Sequence, residues 1–134
     1  MRNYLFVLFT ATTFIFGSCN NAQTQKINTN LNAAEFAAKI EELPTSPIVD
    51  VRTPDEFSQG HLQNARNIDW TGSDFQQQVS RFDKSKPILV YCLSGGRSYA
   101  AANQIRSEGF KEVYELSGGI VKWRAANLPE TTNK

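Results

Sequence analysis

From residue 31 onward the apolar positions switch repeatedly between a helical and an extended period. Phe36, Ile40 and Leu43 recur at i, i+4 and i+7, one stripe of a helix, and Asn32 with Glu35 three residues on forms a capping-box start. Pro44 to Pro47 breaks that helix. Pro47 to Val51 is short, apolar and β-branched, which predicts a buried strand ending at Asp50 to Arg52. Thr53-Pro54-Asp55-Glu56 then supplies an N-cap, an N1 proline and a capping-box acid for a short helix to about Gln59, closed by Gly60. His61 to Asp69 reads as loop with a brief extended piece at Ala65 to Ile68. Ser73 or Asp74 opens a helix marked by Phe75, Val79 and Phe82. Ile88 to Tyr91 is a continuous apolar strand, followed by a helix that opens near Arg97, turns Ala100, Ala101 and Ile105 inward and ends at Gly109. Glu112 to Leu116 is a further strand, and Ser117-Gly118-Gly119 leads into a last helix holding Val121 and Trp123, stopped by Leu128-Pro129.

Strands separated by helices predict an α/β domain with a mostly parallel sheet. In open sheets of this kind ligands sit beyond the carboxyl ends of the strands. Asp50 to Arg52 and Cys92 both fall at such ends, and the expectation is that they share one cleft.

The first nineteen residues follow another plan. Arg2 precedes an uncharged, largely apolar run from Tyr4 to Phe16, and small Gly17 and Ser18 stand directly before Cys19. This is the layout of an export signal, too short to span a bilayer comfortably. Residues 1–18 are read as that signal, 19–30 as the mature terminus and a flexible polar tether without periodicity, and 31–130 as the domain. Small residues followed at once by cysteine resemble the lipobox of bacterial lipoproteins, although Phe16 stands where Leu is usual. That resemblance implies lipidation of Cys19 as the first mature residue. It also implies a periplasm-facing place in the cell envelope, attached to a membrane through the lipid.

Composition narrows the field without choosing a substrate. The 134 residues suit one domain able to bury a core, expected as a monomer. A net charge of +1 offers no basic field for nucleic acid or an anionic membrane surface. Of the two cysteines, Cys19 lies in the signal region, so an internal disulfide is not expected and Cys92 is left as a free thiol.

Cys92 is followed by Leu93-Ser94-Gly95-Gly96-Arg97-Ser98. Glycines let a backbone curl with its N–H groups turned inward. A helix N-terminus and a guanidinium beside the sulfur both favour negative charge, so the pattern predicts a thiolate nucleophile. Ser94 and Ser98 are candidate hydroxyl donors, and Arg97 is the fixed charge. Asp50 and Glu56 are the acids able to orient Arg97. Each also has a structural use, at a strand end or in a helix cap, and the sequence leaves the choice open. Arg52 is a weaker candidate support. His61, the single histidine, fits a turn fixed by side-chain hydrogen bonds better than a Cys–His pair, and Tyr114 and Trp123 fit the core.

YCLSGGRS, the Ala-rich helix after it, Gly109-Phe110, Val113 to Leu116, Gly118-Gly119 and Trp123 together resemble a single-domain rhodanese. So do Asp50-Val51-Arg52, Pro54 to Phe57, and Gly60-His61-Leu62 with Ala65 and Ile68. The resemblance implies a central, mostly parallel sheet with helices on both faces. It implies a sulfurtransferase in which Cys92 takes the sulfane sulfur of a donor such as thiosulfate and yields it to cyanide or a thiol, with no metal or organic cofactor. Two other classes compete. A persulfide carrier or partner-docking module would use the same loop without turnover. A cysteine phosphatase or arsenate reductase would need a wider ring. Cys92 to Arg97 spans six residues, counting both ends, and the phosphatase loop is one residue longer. Gly96 replaces a side chain that many relatives carry there, Asp69 stands where proline is common, and Leu93 makes the loop entrance apolar.

Overall fold

The structure, a computed structural model, describes residues 29–132. The export signal, Cys19 and all but the end of the tether lie outside the described residues. Five strands form one sheet in the order β1-β5-β4-β2-β3: β1 (Asn30–Leu31), β2 (Ile48–Asp50), β3 (Ala65–Asn67), β4 (Ile88–Tyr91) and β5 (Val113–Leu116). Every pair is parallel. Five helices complete the domain: α1 (Ala33–Glu42), α2 (Pro54–Ser58), α3 (Phe75–Val79), α4 (Gly96–Ser107) and α5 (Gly119–Ala125). None is long and apolar enough to cross a membrane.

Local chemistry accounts for two of the five helix starts. Asn32 and Thr53 each close a complete capping box, with Glu35 and Glu56 as the reciprocal acids. β2, β4 and β5 are buried along their whole length because helices cover both faces of the sheet. Alternation along the strands sorts their side chains between two cores. Val49, Val51, Val90, Cys92 and Val113 pack with Phe75 and Val79 of α3 and Ala101, Ala102 and Ile105 of α4. Ile48, Leu89, Tyr91, Tyr114 and Leu116 pack with Phe36 of α1 and Ile120 and Trp123 of α5.

Four details depart from the expectations. Asn30, the last residue read as tether, begins the edge strand β1, and the Thr29 carbonyl accepts the Glu115 N–H at 2.7 Å. The inward stripe of α4 is Ser98, Ala101, Ala102 and Ile105; Ala100 faces outward because the i, i+3, i+4, i+7 row excludes it. In α5 the buried neighbour of Trp123 is Ile120, and Val121 is exposed. Phe82 lies beyond the end of α3 yet still packs against the core.

Candidate active site

β4 delivers Cys92 to its carboxyl end, where the residue is only 1% exposed and, among the described residues, a free thiol. Its sulfur accepts the Gly95 N–H at 3.1 Å and lies 3.3 Å from the Ser98 hydroxyl. Gly95 sits at φ 102°, a left-handed value that glycine adopts without penalty, and there it caps α4. The loop is therefore a tight turn that aims one backbone N–H at the sulfur and sets one hydroxyl within reach of it. Both preferentially stabilise a negatively charged sulfur. Leu93 and Ser94 are exposed at the mouth.

The start of α5 holds the base of the loop. Ile120 and Val121 donate their N–H groups to the Cys92 and Leu93 carbonyls at 2.9 and 3.1 Å. That approach requires Gly119, at φ 59°, since a Cβ there would stand 2.5 Å from the Cys92 carbonyl oxygen and 2.4 Å from that of Leu93. Gly96 is different: it is the first residue of α4, and a Cβ on it would meet nothing within 4 Å. Two substitutions with opposite outcomes follow. Gly119→Ala is expected to cost roughly 1–3 kcal/mol from the left-handed backbone alone and to displace the Cys92 carbonyl. Gly96→Ala is expected to leave the loop intact and raise stability by about 0.5 kcal/mol, because alanine is the better helix former. Urea unfolding of the two variants checks both signs.

Arg97 is paired with Glu56. Its Nη1 and Nη2 donate to the two carboxylate oxygens at 2.8 and 2.7 Å, so the pair is bidentate and ties the start of α4 to α2. Glu56 also accepts the Thr53 N–H and hydroxyl, so its capping and pairing roles coexist. Chiefly the Arg97 guanidinium, with the Thr53 hydrogen bonds adding to it against burial, holds the Glu56 carboxyl down at about 2.

Asp50 makes no hydrogen bond to Arg97 and adds only the smallest contribution, through its charge, to holding that guanidinium protonated. It faces the opposite side of the sheet from Cys92, where Arg52 Nη2 donates to it at 2.6 Å and Arg52 Nε at 3.0 Å. Arg52 also donates to the Gly60 carbonyl at 2.7 Å. Asn67 donates to the Asp50 and Arg52 carbonyls, binding β3 to the same turn. The expectation of one shared cleft is corrected: strand alternation sends Cys92 to the α4 side, and Asp50 and Arg52 to the side of α1 and α5. His61 is stacked on Phe57 at 3.7 Å with Nδ1 donating to the Phe57 carbonyl, and it holds the turn after α2. Tyr114 and Trp123 are buried in the second core.

Glu115 is the group the sequence reading missed. It is 2% exposed, on the same face of β5 as Val113, and it accepts the Ser98 hydroxyl at 2.6 Å. The sole signal for it was a carboxylate within a strand buried from end to end. Among the described residues, no three His, Cys, Asp or Glu side chains come together as a metal-binding set.

The chain and its fold have counterparts in known proteins. Thiosulfate sulfurtransferase GlpE of Coxiella burnetii is 38% identical over 87 residues, covering 65% of this chain and 79% of its own. GlpE of Vibrio cholerae is 33% identical over 103 residues, covering 77% and 92%. An uncharacterized Bacillus subtilis protein, YqhL, is 33% identical over 123 residues, covering 92% and 94%. Among solved structures, the rhodanese-like domain of the Alr3790 protein of Anabaena superposes with a TM-score of 0.70 at 28% identity, covering 80% of this chain and 81% of that one. A rhodanese-related protein of Thermoplasma volcanium gives 0.68 at 27%, covering 78% and 98%. The model of the rhodanese-like domain matches residues 32–126, from the cap of α1 to the end of α5, and since that span takes in the whole Cys92 loop the chain belongs to the rhodanese-like family.

Proposed function

We propose that this protein is a sulfurtransferase that moves a sulfane sulfur from a donor to a thiophilic acceptor through a Cys92 persulfide. The observation that carries the reading is the Cys92 sulfur at the end of β4, faced by the Gly95 N–H and the Ser98 hydroxyl. The Cys92 thiolate attacks the outer sulfur of the donor. With thiosulfate a carbon-free S–S bond breaks, sulfite leaves with the bonding pair, and the negative charge stays on the new persulfide. Cyanide or a thiolate then attacks that outer sulfur and returns Cys92 to thiolate, a double displacement. The Gly95 N–H already aimed at the sulfur stabilises charge there without reorganisation, and the Ser98 hydroxyl lies within reach of it. The likeness to the two GlpE thiosulfate sulfurtransferases supports the same chemistry.

The charge balance of the mouth bears on the donor. Arg97 is the loop's own cation, and Glu56 neutralises it. Leu93 at the entrance is 37% exposed, joined through its carbonyl to exposed Val121, and Tyr99 is exposed one turn into α4. A dianion gains little from such a surface, whereas a thiol or a persulfide on a larger apolar partner gains contact area. Purified protein mixed with thiosulfate, then with an organic persulfide, should gain one sulfur on the Cys92 peptide by mass spectrometry, faster with the second. Release of that sulfur as thiocyanate on adding cyanide separates turnover from mere carriage. No added sulfur with any sulfane donor sinks the assignment and leaves partner docking.

The layout of residues 1–19 supports an envelope lipoprotein lipidated at Cys19 and facing the periplasm. Metabolic labelling with a radioactive fatty acid should mark the full-length product in a bacterial host and not its Cys19→Ala variant. Equal labelling, or none, removes the lipid from the proposal.

A further inference from the structure

Beneath the loop three buried groups stand in a line. The Cys92 sulfur lies 3.3 Å from the Ser98 hydroxyl oxygen, and that oxygen lies 2.6 Å from Oε1 of Glu115. Ser98 is fully buried, and Cys92 and Glu115 nearly so. A serine hydroxyl has one proton to donate. Here it has three acceptors in reach, the third being the Gly95 carbonyl at 3.1 Å, which already accepts the Tyr99 N–H.

When Glu115 and Cys92 share one negative charge, counting protons leaves two fully satisfied arrangements. An ionised Glu115 can only accept, so the short contact to Ser98 then requires the Ser98 proton. The serine turns a lone pair toward the sulfur, and Cys92 fits there as a thiol donating S–H to Ser98. If Glu115 holds a proton it donates to Ser98, which frees the serine proton to point at the sulfur, and Cys92 fits as a thiolate. Thiolate and carboxylate together would place two negative charges across one hydroxyl in a water-poor site.

We propose that Glu115, acting through Ser98, is a positioning residue that holds the proton Cys92 releases when it becomes a nucleophile. In the step, the Cys92 S–H bond breaks and its proton bonds to the Ser98 oxygen. The proton formerly on Ser98 passes to Oε1 of Glu115. The electron pair stays on sulfur, and the negative charge moves from carboxylate to thiolate with no net change. The Gly95 N–H and the Ser98 hydroxyl then both donate to the charged sulfur. This gives a buried cysteine without a histidine partner an internal base.

The surroundings of Glu115 fit this use. Burial pushes its carboxyl up, the Ser98 and Ser117 hydrogen bonds and the Arg106 charge offset part of that, and the net shift is upward. Ser117, at 3.4 Å, is its other side-chain donor. Arg106, the charged group of α4 on that side, is occupied with the Val113 carbonyl and Asn103. From the neighbouring strands it faces Val90 of β4 and Asn30 of β1, and neither ionises. Among the described residues no cation forms an ion pair with the carboxylate, and Arg106 acts on it only through its charge.

The inference deepens the sulfur-transfer reading and rests on it for its purpose, but the proton linkage is measurable without any sulfur donor. The rate of Cys92 alkylation by iodoacetamide is followed against pH in the full chain, on the Cys92 peptide so that Cys19 does not contribute. Glu115→Gln mimics the protonated acid, since its amide N–H donates to Ser98 permanently. Its alkylation midpoint should fall by about one pH unit or more. Ser98→Ala removes the link, and its midpoint should rise. In that background adding Glu115→Gln should produce less than half the shift. Circular dichroism at each pH confirms the fold. Coincident profiles for wild type and Glu115→Gln overturn the proposal, as does an undiminished Glu115→Gln shift without Ser98. A wild-type protein that never forms a persulfide defeats the sulfur-transfer reading while leaving these profiles to decide the relay.

Discussion

Replacing Cys92 by serine is expected to abolish persulfide formation and to lower thiocyanate production from thiosulfate and cyanide by roughly 10⁴-fold or more. A serine hydroxyl is almost wholly protonated at neutral pH and is a poor nucleophile toward sulfur, so no covalent intermediate forms. The substitution is otherwise mild. The serine oxygen can still accept the Gly95 N–H that now reaches the sulfur at 3.1 Å, and the left-handed Gly95 turn does not depend on the side chain. Losing the sulfur's packing at a buried site should cost about 1 kcal/mol, small against the 5–15 kcal/mol of an ordinary domain. Activity and stability should therefore separate. A variant that keeps its far-ultraviolet spectrum and loses all sulfur transfer identifies Cys92 as the carrier. One that retains even a tenth of the wild-type rate would move the reactive group elsewhere.

The parts of the fold legible in the sequence were those fixed by neighbours along the chain. Asn32 with Glu35, and Thr53 with Glu56, are contacts across three residues, and both caps formed. The apolar runs of β2 and β4 needed only burial on two faces. What stayed hidden depended on which way a strand is turned. Asp50 and Cys92 both end strands, but their side chains enter opposite cores, and only the pairing register shows it. The partner of Arg97 lies 41 residues away, and Glu56 and Asp50 were equally plausible because each has a local use as well. Glu115 was hidden for a related reason. A strand covered on both faces shows no polar alternation, so nothing in the order of residues 113–116 reveals that the carboxylate turns toward the reactive sulfur. β1, only two residues long, is too short to show any period.

Asp50→Ala is expected to cost about 3–5 kcal/mol, the largest stability loss from any single substitution argued for this molecule. The Arg52 guanidinium would remain where it is, 2% exposed, with its chief counterion gone. Its other acceptor, the Gly60 carbonyl at 2.7 Å, is a dipole and does not offset a full charge. Moving the guanidinium out to water would release the turn after α2, because Gly60, Leu62 and Tyr91 meet there: the Leu62 N–H donates to the Tyr91 hydroxyl at 3.1 Å, and the Arg52 charge lies 5.8 Å from the Tyr91 ring. For a domain of this size such a loss corresponds to roughly 15–30 °C in Tm. The cost should fall on stability alone, since the pair lies across the sheet from the sulfur. At a temperature where the variant is folded, its rate of Cys92 persulfide formation should stay within about twofold of wild type. Removing both charges at once supplies the control. Asp50→Ala with Arg52→Met leaves no buried ion, and it should recover much of the stability that the single substitution loses, because the pair's own formation gains little over a packed apolar replacement. A single variant that melts within a few degrees of wild type would mean that water reaches Arg52. A double variant less stable than the single one would mean that the guanidinium's packing, rather than its charge, holds the turn.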